Sequence, residues 1–467
     1  MLGEDILFLP VTELARRIRS RQISPVELAE SYLERSRTIG PKLNAYVTLT
    51  EKLALEQARA AEKEIAAGKY RGPLHGIPYA AKDLLAVKGY PTTWGARPYA
   101  NQQFDYDATV IRKLDTAGAV LIGKAAMIEL AGGMGYRYAS ASATGPAKNP
   151  WNTNCWTCGS SSGSGAIVAA GLAAFALGTE TWGSIICPSG FTGSSGLRPT
   201  FGRVSRYGAM ALAYSMDKIG PLCRDAADCD LILQTIAGHD PNDLGSLPET
   251  EARYGGAGSS NGRLRLGWMV NQWKKMEPDV EEAIHTARKV LESHRSFSVL
   301  NVGLPEGPWE TAAGVTVSVE GASAFRSLIA SGRVAELNDP LGKIGGYMNE
   351  EISASDFILA QRIRAVLQKS MDAVFAQAEV LVAASLPVTA TPLDANLDDT
   401  LSFADPIGGI GNFCGLPAIS VPCGFGREGT PVGLQFVARP LDDAKVVQAA
   451  RLFQSQTDWH LRHPKLT

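Results

Sequence analysis

Short apolar runs that read as buried strands alternate along this chain with helix signals, and that alternation limits the possible fold more than any other feature. Ser24-Pro25-Val26-Glu27 is a capping box with proline at the first helical position, opening a helix expected to run to about Thr38. A second helix spans roughly Glu51 to Ala67 and stops at Gly68, and a third covers about Ala108 to Thr116. Ala119-Val120-Leu121-Ile122 follows as a buried strand. Further strand candidates are Leu264–Trp268, Phe297–Val302, Val380–Ala384, Ala418–Val421 and Val432–Val437, with helices near 279–294, 355–377 and 442–455. The pattern is that of an α/β protein: a mostly parallel or mixed sheet covered by helices.

With 45 basic against 47 acidic residues, the charge balance argues against nucleic acid or an anionic membrane as an obligatory partner. The start, MLGEDILFLP, carries Glu4 and Asp5 where a secretory signal would be basic. The longest apolar stretch, Ala166 to Leu177, is twelve residues against the roughly 20 a membrane span needs, so a buried helix is expected there. Seven cysteines, an odd number in a long chain without a signal, predict reduced thiols and a cytoplasmic protein. Gly238 to Gly262 reads as a long surface loop, and Gly303 to Pro308 as a second loop.

Asn154 to Ala166, NCWTCGSSSGSGA, combines a CxxC, a Gly-Ser run and a GxSxG. A free tether would be flanked by polar residues, whereas this run leads directly into apolar sequence, so its last residues are expected to cap a helix. Cys155 and Cys158 have no second ligand pair downstream, which leaves them as small buried thiols. Gly118 to Ala125 approaches a phosphate-binding loop, but Ala125 stands where Ser or Thr must hold magnesium, and the residues before Gly123 read as strand. Ser215-Met216-Asp217-Lys218 matches SxxK without a downstream KTG, a chance match. No metal motif such as HExxH occurs. Six histidines, none in a suggestive setting, give no support to a Ser-His-Asp triad, and a serine hydrolase without histidine needs another base, usually lysine. Lys82, set in Gly76-Ile-Pro-Tyr-Ala-Ala-Lys82-Asp83-Leu-Leu85 among small and apolar neighbours, occupies a setting that would bury its amine.

Taken together, these segments resemble the amidase signature family. The resemblance rests on Gly76 to Asp83, Gly145 to Trp151 with Cys158 to Ser164, Gly178-Thr-Glu-Thr-Trp-Gly-Ser184-Ile185, Gly196 to Gly208, and Gly411 to Gly424. It implies an α/β/α sandwich, a large mixed sheet with helices on both faces, forming one domain over 1–467. Within it a catalytic core covers about 70–210 and a variable substrate-side region about 239–350. It implies a Ser–cis-Ser–Lys triad in which Ser184 is the nucleophile, Ser160 the bridging serine after a cis peptide, and Lys82 the base. Backbone amides of Thr181, Trp182, Gly183 and Ser184 would form the oxyanion hole.

The resemblance further implies an amide hydrolase that works without cofactor or metal, with carbamate or ester cleavage as an alternative. A non-catalytic binding protein and the glutamine-dependent amidotransferase A subunit are further alternatives. Asp405, near Asn412, sits about where such amidotransferase chains carry an acid. Partners are then a small amide, carbamate or ester and water, with no nucleic acid or membrane, and a possible homodimer. The pocket is expected around Ala131, Gly132, Gly133 and Met134, Trp182 and residues 305–350. The chain departs from the family's GTDTGGSIR at Glu180, Trp182 and Ile186, so Glu180 is expected to pair with Arg198 or Arg203.

Overall fold

The computed structural model describes residues 1–258, 262–270, 276–401 and 407–466, so Asp405 lies outside the described residues. In chain order the strands are β1 Tyr46–Leu49, β2 Pro78–Lys82, β3 Val120–Ala125, β4 Phe175–Glu180, β5 Ser195–Arg198, β6 Lys218–Cys223, β7 Leu264–Met269, β8 Phe297–Val302, β9 Val380–Ala384, β10 Ala418–Phe425 and β11 Pro431–Ala438. They form one eleven-stranded sheet in the order β1-β3-β2-β4-β6-β5-β10-β11-β9-β7-β8. Strands β3, β2 and β4 run parallel to one another, as do β9, β7 and β8, while the strands between are antiparallel. Every residue of β2, β3, β4, β5 and β6 is buried, as strands covered on both faces require. The expected α/β/α architecture is therefore present, and among the described residues no helix is long and apolar enough to cross a membrane.

Ser24 caps its helix as anticipated, its hydroxyl accepting from the amides of Val26 and Glu27 at 3.0 and 3.3 Å. That helix runs on to Leu43, past the expected end at Thr38, because Ile39 and Leu43 continue its buried apolar face. The expected helix over Ala166–Leu177 is corrected. A helix covers Ser162–Ala169, the chain turns at Gly171 (φ +65°), and β4 begins at Phe175. The strand is fully buried and the helix is buried at every residue but Ala169, so no periodicity separates them, and Gly171 supplies the left-handed turn where a side chain would strike the Phe8 ring. The expected strands at 264–268, 297–302, 380–384, 418–421 and 432–437 all occur, some slightly longer.

Candidate active site

The site lies where the parallel neighbours β2 and β4 end, at Lys82 and Glu180, the usual place for ligands in sheets of this kind. Proline at the first position of β2 sacrifices no ladder donor in the strand interior, and the strand carries Lys82 to full burial. The Gly-Ser run packs against the end of β3: Gly163 donates to Ala126 O at 2.8 Å, and a Cβ there would sit 2.4 Å from Ala126 N and from Ala45 O. Only glycine allows that approach. It places Ser160, preceded by a cis Gly159–Ser160 peptide, and Ser161 beneath Lys82.

Lys82 Nζ lies 2.7 Å from Ser160 Oγ, 3.0 Å from Ser161 Oγ and 2.9 Å from Thr179 Oγ1, and Ser160 Oγ lies 3.0 Å from Ser184 Oγ. Burial brings the Lys82 amine down to about 7, against a smaller opposing pull from Asp217 and Glu180. A neutral amine has two N–H groups and one lone pair. Ser161 gives its own proton to Thr179 O at 3.1 Å and so accepts from Lys82. In the structure Lys82 donates to Thr179 Oγ1 and Ser160 Oγ, and Ser160 donates to Ser184 Oγ; on the neutral amine the lone pair faces Ser160, whose hydroxyl then turns to donate to Lys82 and accept from Ser184.

Beyond β4 the chain forms the loop Thr181-Trp182-Gly183-Ser184, with Gly183 at φ +80°. Glu180 Oε2 accepts from the amides of Ile185 and Ile186 at 2.8 and 2.9 Å. Among the described residues the amides of Trp182, Gly183 and Ser184 donate to no protein acceptor. Glu180 Oε1 receives Arg198 Nη1 at 2.6 Å and Asn412 Nδ2 at 3.0 Å, which resolves the expected pairing in favour of Arg198; Arg203 binds Asp443 instead. Burial works against the Glu180 charge, but Arg198 and Lys218 outweigh it and hold the carboxyl at about 2. Thr181 Oγ1 donates to Asp217 Oδ1 at 2.5 Å.

A cavity of about 290 Å³ lies against Thr179 and Thr181 and is walled by Ala131, Leu84, Met210 and Leu212. Of the four expected pocket residues Ala131 lines it, while Gly132 packs on Tyr136, Gly133 on Leu212 and Phe325, and Met134 on Gly345 and Gly346. The rest of this cavity's wall comes from residues 206–219 and 242–244, and half-buried Trp182 packs on the apolar cluster of Ile186, Met216 and Trp309. Ser161, Thr179, Asp217 and Asn412 form the surroundings that sequence reasoning missed. The position of Ser161 beside Ser160, and of Asp217 within the discarded SxxK match, were the available signals.

The thiol expectation is also corrected: Cys158 and Cys187 form a disulfide with their Cα atoms 5.8 Å apart, while Cys155 stays free. The pair is 29 positions apart in the chain, and the contact of Ser160 with Ser184 brings the segments that carry the two cysteines together.

The sequence profile of the family described as Amidase matches residues 27–447. The A subunit of the glutamyl-tRNA(Gln) amidotransferase of Burkholderia pseudomallei is 36% identical over 97% of this chain and 98% of its own length. The corresponding chain of Geobacter metallireducens is 34% identical over 98% and 99%. Among solved structures, the native peptide amidase of Stenotrophomonas maltophilia superposes with a TM-score of 0.83 at 29% identity, covering 98% of each chain. A protein from a vestigial complex tied to the origins of an s-triazine catabolic enzyme gives a TM-score of 0.86 at 26% identity, over 98% of this chain and 100% of that one. Sheet, profile and relatives agree: the chain belongs to the amidase signature family, enzymes acting on carbon–nitrogen bonds.

Proposed function

We propose that this protein is a hydrolase that cleaves carboxylic amide C–N bonds through an acyl-enzyme on Ser184. The observation that carries the reading is a buried amine of pKa about 7, 2.7 Å from Ser160 Oγ, with that oxygen 3.0 Å from Ser184 Oγ. Neutral Lys82 takes the Ser160 proton as Ser160 takes the proton of Ser184, and the Ser184 oxygen attacks the carbonyl carbon. The amides of Thr181, Trp182, Gly183 and Ser184 stabilise the resulting oxyanion, one such donor being typically worth about 3 kcal/mol. Lys82 then returns a proton through Ser160 to the departing amine, and water cleaves the ester by the reverse path. The test is a hydrolysis screen of anilides, aliphatic amides, carbamates and esters. Ser184→Ala is expected to lose at least about a thousandfold in kcat/KM. Unchanged turnover in that variant overturns the reading, and preference for a carbamate or ester reassigns the acyl group alone.

A second reading, glutamine amide hydrolysis within an amidotransferase, is favoured by the 36% identity to an amidotransferase chain along 97% of this one. Ammonia release from L-glutamine and a partner chain retained through purification are its signatures.

A further inference from the structure

We propose that the cavity beside the relay takes the uncharged aryl or aryl-alkyl portion of the substrate amide, and that it excludes an amino-acid head group such as that of L-glutamine. The inference rests on the hydrolase reading and adds to it the chemical class of the substrate.

Position comes first. The cavity ends on Thr179, whose Oγ1 is 2.9 Å from Lys82 Nζ, and on Thr181 in the loop that leads to Ser184. A group seated here therefore adjoins the relay.

Size comes second. An apolar cavity of about 150 Å³ is enough to hold benzene, so about 290 Å³ holds a ring with a short chain or a second ring.

Charge decides the chemistry. The charged side chains on the wall, with Thr179, Thr181 and Asn242, are bound to other protein groups. Thr179 Oγ1 is held by Lys82, and Asp217 accepts from Thr181 Oγ1 and from the amides of Leu212 and Ala213. Arg206 Nε and Nη2 are on Asp243, its Nη1 is on Tyr214 O, and its guanidinium lies 4.8 Å from the centres of both the Phe201 and Tyr214 rings. Lys218 turns to Asn412 Oδ1 at 2.6 Å, and Asn242 Nδ2 to Asp240 Oδ1 at 3.0 Å. A zwitterion entering here would have to compete for Asp217, Asp243, Arg206 and Lys218, each already held by protein groups, a cost that apolar contact does not offset.

The rim agrees with this. Tyr207, Tyr214 and Leu244 are 37%, 55% and 91% exposed, and the Tyr106 ring packs on Tyr207 at 5.6 Å, an apolar collar of the kind that marks a binding site.

The test is equilibrium titration of full-length Ser184→Ala protein, which separates binding from turnover, with phenylacetamide, acetamide and L-glutamine. Phenylacetamide is expected to bind at least about tenfold more tightly than acetamide, and L-glutamine more weakly than either. Met210→Glu places an unpaired carboxylate in the cavity and is expected to weaken phenylacetamide at least about tenfold. Tyr214→Ala, at an exposed position that folding does not need, is expected to weaken it severalfold. L-glutamine binding as tightly as phenylacetamide, or Tyr214→Ala leaving phenylacetamide affinity unchanged while Met210→Glu does the same, overturns the proposal. Failure of the hydrolase reading appears elsewhere, as wild-type turnover that survives Ser184→Ala.

Discussion

The hydroxyl of Thr181 donates to Asp217 Oδ1 at 2.5 Å, while the other oxygen of the same carboxylate accepts from the amides of Leu212 and Ala213 at 2.8 and 3.1 Å. One carboxylate thus ties the loop 181–184 to the cavity wall. Burial raises the Asp217 carboxyl from its ordinary value, against the hydrogen bonds of Thr181, Leu212 and Ala213, and its charge acts on Lys82 together with that of Glu180. Burial, with Arg198 and Arg364 nearby, pushes the neighbouring Lys218 amine well below its ordinary value.

The first prediction concerns pH. Protonated Lys82 cannot accept from Ser160, so kcat/KM should fall as pH drops through about 7. Asp217→Asn removes a charge that favours the ammonium, so the acid limb should move to lower pH. Thr181→Val keeps that charge and should lower kcat with the limb in place. Profiles from pH 5 to 9 decide the matter, and an unmoved limb in Asp217→Asn refutes the coupling.

Stability should carry the same signature with a definite sign. Lys82 titrates at about 7 in the fold against 10.5 in an exposed chain, so between those values the unfolded state binds more protons. Its unfavourable contribution is full below about pH 7 and fades as pH rises to 10.5, a span of about 4 to 5 kcal/mol. Lys82→Met should abolish turnover and flatten the rise in unfolding free energy between pH 7 and 10. Urea melts at several pH values measure it, and parallel curves for the two proteins contradict the assignment.

Breaking the Glu180–Arg198 pair should be costly. Both side chains are fully buried at 2.6 Å, so Arg198→Met leaves a carboxylate without its partner, at about 3 to 5 kcal/mol. Glu180 also holds the Ile185 and Ile186 amides, so activity should fall with stability. Calorimetric melting and residual turnover report both, and a loss under about 1 kcal/mol speaks against the network.

The disulfide offers a fourth measurement. Oxidised protein should show five alkylatable thiols after denaturation, and reduced protein all seven. Closing a 29-residue loop stabilises by about 3 to 4 kcal/mol, so Cys158→Ser with Cys187→Ser should lose about that much in urea melts. Seven reactive thiols without reductant exclude the bond.

Much of this was legible in the sequence because its residues signal locally. Ser24 and Pro25 announce a helix start in the residues themselves, and the later strands stand out as short apolar runs between helices. Lys82, Ser160 and Ser184 were legible through motifs, each with its own neighbours. What stayed hidden depends on distant partners. Arg198 and Arg203 are equally cationic in sequence, and the packing of β5 beside β10 and the position of Asp443 separate them. Cys158 meets Cys187 only because two serines do, and the cavity wall at Met210 and Leu212 lies in a segment without periodicity. The apolar run from Ala166 misled because a buried helix and a buried strand have the same composition.

Lys82 and Ser160 are 78 positions apart in the chain, Ser160 and Ser184 another 24, and β6, just after Asp217, which holds Thr181, begins later still, at Lys218. The three side chains therefore share no contiguous peptide and converge only when the parallel strands have been brought into register. Turnover is in that sense a gauge of the finished molecule: a nick or a slipped strand anywhere between residues 78 and 223 should silence the enzyme well before it erases the helical circular-dichroism signal.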